Sequence, residues 1–465
     1  MENIIHKPET EIDLIGKIYV WSIVFEPLLF FVLIDQRTTG VNGSLSRILQ
    51  MVVIVSLITK ALLSFSSSFR IPNPFYSQYR WYFLYLMFLI ISTVFGITYG
   101  AYDVAYGRHS AMSDFSALLN SSYSRPVFEY FIAFYYFFYF VILPRYLLPN
   151  KKAIDYCLKV FIGMFFLSFW LGVVDYLANL IWFNGNWIEL IPRHFSDWRH
   201  VGGRFHGLAG EPRDAFVYLV FGCGLLFLRE QWFGTKINNL WFVLFFVAAL
   251  LTFSASGFVG LIFGFFLFLV YQLPRIPAIY LLPLLAVVFG AIGGGIYAIM
   301  QSSRILLYIE QLPIAFEALQ SAIELDITIL PYAISNQIVD IYPMWLRFME
   351  VIELNVLPLF VGTGLGSSAF ANSVFYPDEG GVQNPHANLV RIIFEAGIIG
   401  ALLFTNAFLQ PIRKLLLPRK DLERLIFFLL ILLGTSFAHR SSTIYIFLGL
   451  TLLMFNYKQL NPLKN

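Results

Sequence analysis

Runs of apolar residues long enough to cross a bilayer recur from one end of this chain to the other, and that recurrence restricts the fold more than any motif does. Spans of about 20 residues are expected at about Ile15–Asp35, Arg47–Phe65, Phe83–Tyr102, Pro126–Leu147, Ile154–Phe183, Ala215–Leu228, Leu240–Phe253, Gly257–Gln272, Pro277–Met300, Ala387–Leu409, Leu422–His439 and Ser441–Tyr457. Of the 465 residues, 58% are hydrophobic and 13% charged, more apolar surface than a water-soluble domain can cover. The expected fold class is an all-α polytopic membrane protein with about twelve transmembrane helices.

The cations decide the orientation. Lys7 and Lys17, Arg70 and Arg80, Arg145 with Lys151 and Lys152, Arg229 with Lys236, Arg275, the cluster Arg413, Lys414, Arg419, Lys420 and Arg424, and Lys458 with Lys464 fall in alternate connections. The positive-inside rule places these connections, and both termini, in the cytoplasm. The opposite connections contain arginines but no lysine: Arg37, Arg108, Arg125, Arg193, Arg199, Arg204, Arg213, Arg304, Arg347 and Arg440. Two readings stand side by side. Topology alone excludes lysine there, or the outer face uses arginine's planar fork to grip phosphate or carboxylate in two places. No cleavable secretory signal is expected, because the first apolar run follows an acidic leader and is long enough to remain as a span. Cys157 and Cys223 fall within spans, so no disulfide framework is expected. The net charge of +3 is accounted for by the cytoplasmic connections and gives no reason to expect a nucleic-acid partner.

Three outer stretches carry chemistry. The loop at 184–214 gathers Arg193, His194, Asp197, Arg199, His200, Arg204, His206, Glu211, Arg213 and Asp214, with glycines that let a backbone approach a ligand. Here Arg204 and Arg213 are candidates to converge on a phosphate at the membrane surface. His194, His200 and His206 recur every six residues, which is not a helical ligand spacing, so a metal is not expected. The connection at 301–385 is long enough to need structure of its own, with helical patterning at 305–325 and 343–356, and it holds nine acidic residues against Arg304 and Arg347. The third stretch runs from Gly380 to Phe404. Its turn formers lead to His386, after which a membrane helix carries Arg391 and Glu395 in its first turns and Gly397 and Gly400 beyond them. Ionisable groups at that depth are costly unless they are used. In the first span Glu26, ahead of Pro27, is expected to be a polar plug paired with a neighbouring helix. The chain is accordingly read as spans one to nine with the 184–214 loop (1–300), a large outer loop (301–385) and spans ten to twelve (386–465), forming one integrated membrane domain.

Four segments, in order, resemble those of a known family. RFHGLAGEPRDAF (204–216) is similar to an Arg-x-x-Gly stretch before a span, and LTFSASGFVGLIFG (251–264) to a Thr-x-Ser-Arg-Gly segment. PLFVGTGLGS (358–367) is similar to a Pro-x-x-Gly-x-Gly segment, and His386 through Gly397 and Gly400 to a His-Asn-x9-Gly-x-x-Gly signature. The family is the O-antigen polymerase and ligase superfamily (Wzy/WaaL) of the bacterial inner membrane. Ala387 stands where the family has Asn, Ser or Gln, with Asn388 and Asn384 as substitutes. Ala255 and Ser256 stand where the family has its arginine, and Arg347 is the nearest match to a further family arginine.

The resemblance implies a GT-C-like, metal-independent and cofactor-free inverting glycosyltransferase with a large helical periplasmic loop and a periplasmic active site. Its donor would be an undecaprenyl-diphosphate-linked oligosaccharide within the lipid bilayer, with a chain-length regulator as an optional partner. It implies His386 and Arg204 as catalytic residues and Arg213, Glu211, Arg347, Arg391, Glu395 and Asn388 as substrate-binding ones. Between the two activities, the acidic 301–385 loop would repel a phosphate-rich lipid A core, which favours polymerase over ligase. A lipid-linked oligosaccharide flippase is the alternative of another class. Against it, no internal repeat of transporter size is visible and the ionisable residues gather at one surface.

Overall fold

The computed structural model describes residues 12–28, 32–34, 43–63, 78–99, 124–182, 204–209, 212–252, 254–272, 356–368, 388–435 and 441–460. The expected ninth span and the 301–355 part of the large loop lie outside them. Among the described residues the chain is helical apart from one antiparallel ribbon, β1 (Val32–Ile34) with β2 (Gly43–Ser44). The helices are α1 (Leu14–Val24), α2 (Leu45–Leu63), α3 (Arg80–Thr98), α4 (Ser124–Leu147), α5 (Lys151–Trp182), α6 (Pro212–Phe233), α7 (Asn239–Leu251), α8 (Ala255–Gln272), the short α9 (Leu357–Val361), α10 (Asn388–Arg413), α11 (Arg419–Thr435) and α12 (Ser442–Leu460).

Among the described residues, five helical segments are long and apolar enough to cross a membrane: α3, α4, α6, Lys151–Ala178 within α5 and Arg391–Arg413 within α10. On α3 the exposed residues Leu84, Met87, Ile91 and Val94 recur at three- and four-residue spacing along one face. Such a stripe would be an unfavourable apolar patch in water and is the surface a lipid-facing helix presents. The expected first span is not continuous. Asp13 caps α1 by accepting from the Gly16 backbone N–H at 2.7 Å, but the helix ends after 11 residues. Pro27 has no N–H to donate and disfavours helical backbone at Glu26, so the chain turns into the ribbon instead.

The chain divides into two compact units. The first comprises Met1–Leu86, Tyr130–Gly264 and Leu403–Asn465. Within it α1 packs on α2 and α5, and α6 packs on α5, α7, α11 and α12. Its centre is aromatic: Tyr82 stacks on Phe137 with ring centroids 3.9 Å apart and shares a 3.0 Å hydroxyl hydrogen bond with Tyr445. In α4, Pro144 cannot donate to the Phe140 carbonyl, and the helix widens into a π turn over Phe138–Ile142. Gly449 of α12 lies against that carbonyl so closely that a Cβ there would be 1.9 Å from the oxygen. Glu26 finds its partners on α2. Its Oε1 accepts from Arg47 Nη2 at 2.7 Å and its Oε2 from Ser46 Oγ and Gln50 Nε2, each at 2.6 Å.

The second unit comprises Met87–Glu129 and Phe265–Leu402. Its described part consists of the end of α3, the start of α4, the end of α8, the 356–368 segment and the first part of α10. Among its described residues, the charged ones, Arg125, Glu129, Arg391 and Glu395, are all at one place.

Candidate functional site

At Gly397 the backbone of α10 leaves the helical region, with φ 64° and ψ −173°. Only glycine takes such angles readily, and the turn strips the preceding carbonyls of their partners one turn on. The segment 362–368 supplies replacements. The Phe394 carbonyl accepts from the Thr363 N–H and the Thr363 hydroxyl, both at 2.8 Å. The Glu395 carbonyl accepts from the Gly364 N–H at 3.0 Å and from Ser92 Oγ at 2.6 Å. A buried carbonyl left bare costs about 1–3 kcal/mol, so the loop is what makes the break tenable. The approach needs glycine on both sides: Gly362 has φ 89°, and a Cβ on it would lie 2.3 Å from the Glu395 oxygen. A Cβ on Gly397 would lie 2.3 Å from the Phe360 oxygen, and one on Gly96 of α3 would lie 1.8 Å from the Thr363 oxygen.

Beside the break lies a buried tetrad of charges. Arg391 Nε donates to Glu395 Oε1 at 2.9 Å, and Arg125 Nε donates to Glu129 Oε1 at 2.9 Å. Arg391 Nη2 joins the two pairs by donating to Glu129 Oε1 at 3.2 Å. Ser368 Oγ adds a 2.5 Å hydrogen bond to Glu395 Oε1, while Glu395 Oε2 is buried with no hydrogen-bond partner among the described residues. Exposure is 3% for Arg391, 1% for Glu395 and 0% for Glu129, so these charges are compensated by one another rather than by water.

In the first unit the other two motif stretches also meet. The Phe205 N–H donates to the Leu251 carbonyl at 2.9 Å, and Gly257 lies against the Phe216 ring. Leu208 N–H donates to Ser168 Oγ of α5 at 3.0 Å, and Gly172 of α5 leaves room for the Phe205 ring. This seating buries Phe205 and His206 and leaves Arg204, just ahead of them, partly exposed. Arg213 Nη2 lies 3.4 Å from Asp214 Oδ1, a partly exposed neighbour pair of the kind that contributes little to stability.

Of the residues the sequence singles out, the structure brings together Arg391 and Glu395. It places Arg204 and Arg213 at the two ends of the 204–213 stretch, and Asn388 at the first turn of α10. His386, Glu211 and Arg347 lie outside the described residues. Sequence reasoning passes over Glu129 and names Arg125 only among the outer arginines. A signal for them exists, because Arg125-Pro-Val-Phe-Glu129 and Arg391-Ile-Ile-Phe-Glu395 share the pattern Arg-x-x-Phe-Glu in the first turns of two membrane helices. Comparison with protein-family models, with curated proteins and with solved structures finds no match.

Proposed function

We propose that the protein is a membrane glycosyltransferase that joins polyprenyl-diphosphate-linked repeat units, an O-antigen-type polymerase of about twelve spans with a GT-C-like fold, at the outer face of a bacterial inner membrane. One observation supports it above others. The four segments that carry the resemblance are scattered over the chain, yet they pack in two pairs, 204–216 with 251–257 and 358–367 with 388–400. In this reading the acceptor hydroxyl attacks the anomeric carbon of the donor sugar, a new C–O bond forms and the bond to the diphosphate oxygen breaks. His386 takes the hydroxyl proton, as a neutral imidazole suits. Arg204, with Arg213 or Arg347, stabilises the departing diphosphate.

Purified protein given a synthetic lipid-diphosphate repeat unit tests the reading. Chain elongation that is lost in His386→Ala and in Arg204→Ala is the expected result. Transfer to a lipid A core instead of a second repeat unit would identify a ligase. Lipid scrambling without any new glycosidic bond would overturn the enzymatic reading in favour of transport.

A further inference from the structure

The first part of α10, from Asn388 to Ala396, cannot inherit its direction from the rest of the helix, because the turn at Gly397 interrupts the backbone that would transmit it. Among the described residues, the 362–368 loop and Ser92 of α3 hold its end and the charge tetrad holds its side. Apolar contacts are non-directional and tolerate sliding. Charge-assisted hydrogen bonds fix distance and angle together. Arg391 and Glu395 direct their hydrogen bonds to each other, to Glu129 at the start of α4 and to Ser368 of the loop. The half-helix is thereby fastened to two elements with which it shares no continuous backbone.

Resting on the glycosyltransferase reading above, we propose that Arg391, Glu395, Arg125 and Glu129 are positioning residues, which set the direction of the half-helix that begins two residues after His386 in the sequence. The tetrad acts through the helix rather than on the substrate. A misplacement of about 1 Å at a reacting group costs on the order of 10²-fold in rate, so loosening the tetrad is read in kcat.

The experiment measures kcat and KM of the full chain in lipid nanodiscs with the synthetic lipid-diphosphate unit. Glu395→Gln, and the charge-balanced pair Arg391→Gln with Glu395→Gln, are expected to lower kcat by about 10²-fold while KM stays within about threefold of wild type. A wild-type kcat in the charge-balanced pair would overturn the proposal. So would a raised KM with kcat intact, which marks direct substrate contact. Should both variants fail to fold, Ser368→Ala removes one donor to Glu395 and no charge. A loss of kcat at unchanged KM there supports the proposal, and a wild-type kcat overturns it. A wild-type protein that elongates nothing sinks this proposal together with the glycosyltransferase reading. Elongation that is lost in His386→Ala and retained in the tetrad variants sinks the positioning role alone.

Discussion

Arg391 donates through Nη2 to Oε1 of Glu129 at 3.2 Å across 262 positions of sequence. That oxygen also receives Arg125, so one fully buried carboxylate serves two guanidinium groups. Removing it leaves two buried cations short of an acceptor. Glu129→Gln is expected to destabilise the protein by about 3–5 kcal/mol in detergent unfolding, the range for breaking a buried pair by deleting one partner. Arg125→Gln, which leaves the Arg391 bond to Glu129 in place, is expected to cost less.

Glycine replacements separate close approach from mere presence in a helix. Gly96→Ala would place a methyl 1.8 Å from the Thr363 carbonyl oxygen and push the 362–368 loop off the α10 break. Gly163 of α5 has no described neighbour within 4 Å of its added Cβ. Thermal unfolding is expected to show Gly96→Ala clearly below wild type. Gly163→Ala is expected at or above it, helped by the roughly 1 kcal/mol that alanine gains over glycine in a helix.

The Glu26 cluster predicts a graded response. Glu26→Gln keeps one accepting oxygen, which can still serve Ser46 and Gln50, and loses the charge and the acceptor that face Arg47. Glu26→Ala removes every acceptor and is expected to be the more destabilising of the two in the same unfolding assay. Because the Arg47 side chain is 38% exposed, a double-mutant cycle of Glu26→Gln with Arg47→Met should give a coupling of about 1 kcal/mol or less.

Orientation is open to a direct check. The basic end formed by Arg413, Lys414, Arg419, Lys420 and Arg424 is expected to face the cytoplasm. Lys420→Cys, in the partly exposed first turn of α11, should react with a membrane-impermeant maleimide only after the cells are made permeable. Labelling in intact cells would invert the topology.

Much of the membrane character is legible in the sequence because hydrocarbon thickness sets an unmistakable length scale. The expected spans at Phe83–Tyr102, Pro126–Leu147 and Ile154–Phe183 coincide with α3, α4 and α5 within a few residues. The Arg391–Glu395 contact is legible too, since four residues is one helical turn. The break is not. Gly397 and Gly400 have the spacing of a helix-packing surface, and nothing in that spacing says that Gly397 takes a positive φ or that Gly362 lies against the Glu395 carbonyl. Glu129 is missed for the same reason: its partner on α10 is fixed by tertiary packing rather than by local periodicity. The short α1 is missed because an apolar count weighs Pro27 as one residue among many, whereas it ends the helix outright.

The acid at Glu26 has a consequence for how the chain enters the membrane. α1 is too short to span by itself, and Glu26, two residues past its end, has its hydrogen-bond donors Ser46, Arg47 and Gln50 some twenty residues later in the chain. Lipid is a hostile solvent for that carboxylate until those donors have left the ribosome. The two segments are therefore expected to leave the insertion channel together, as a pair.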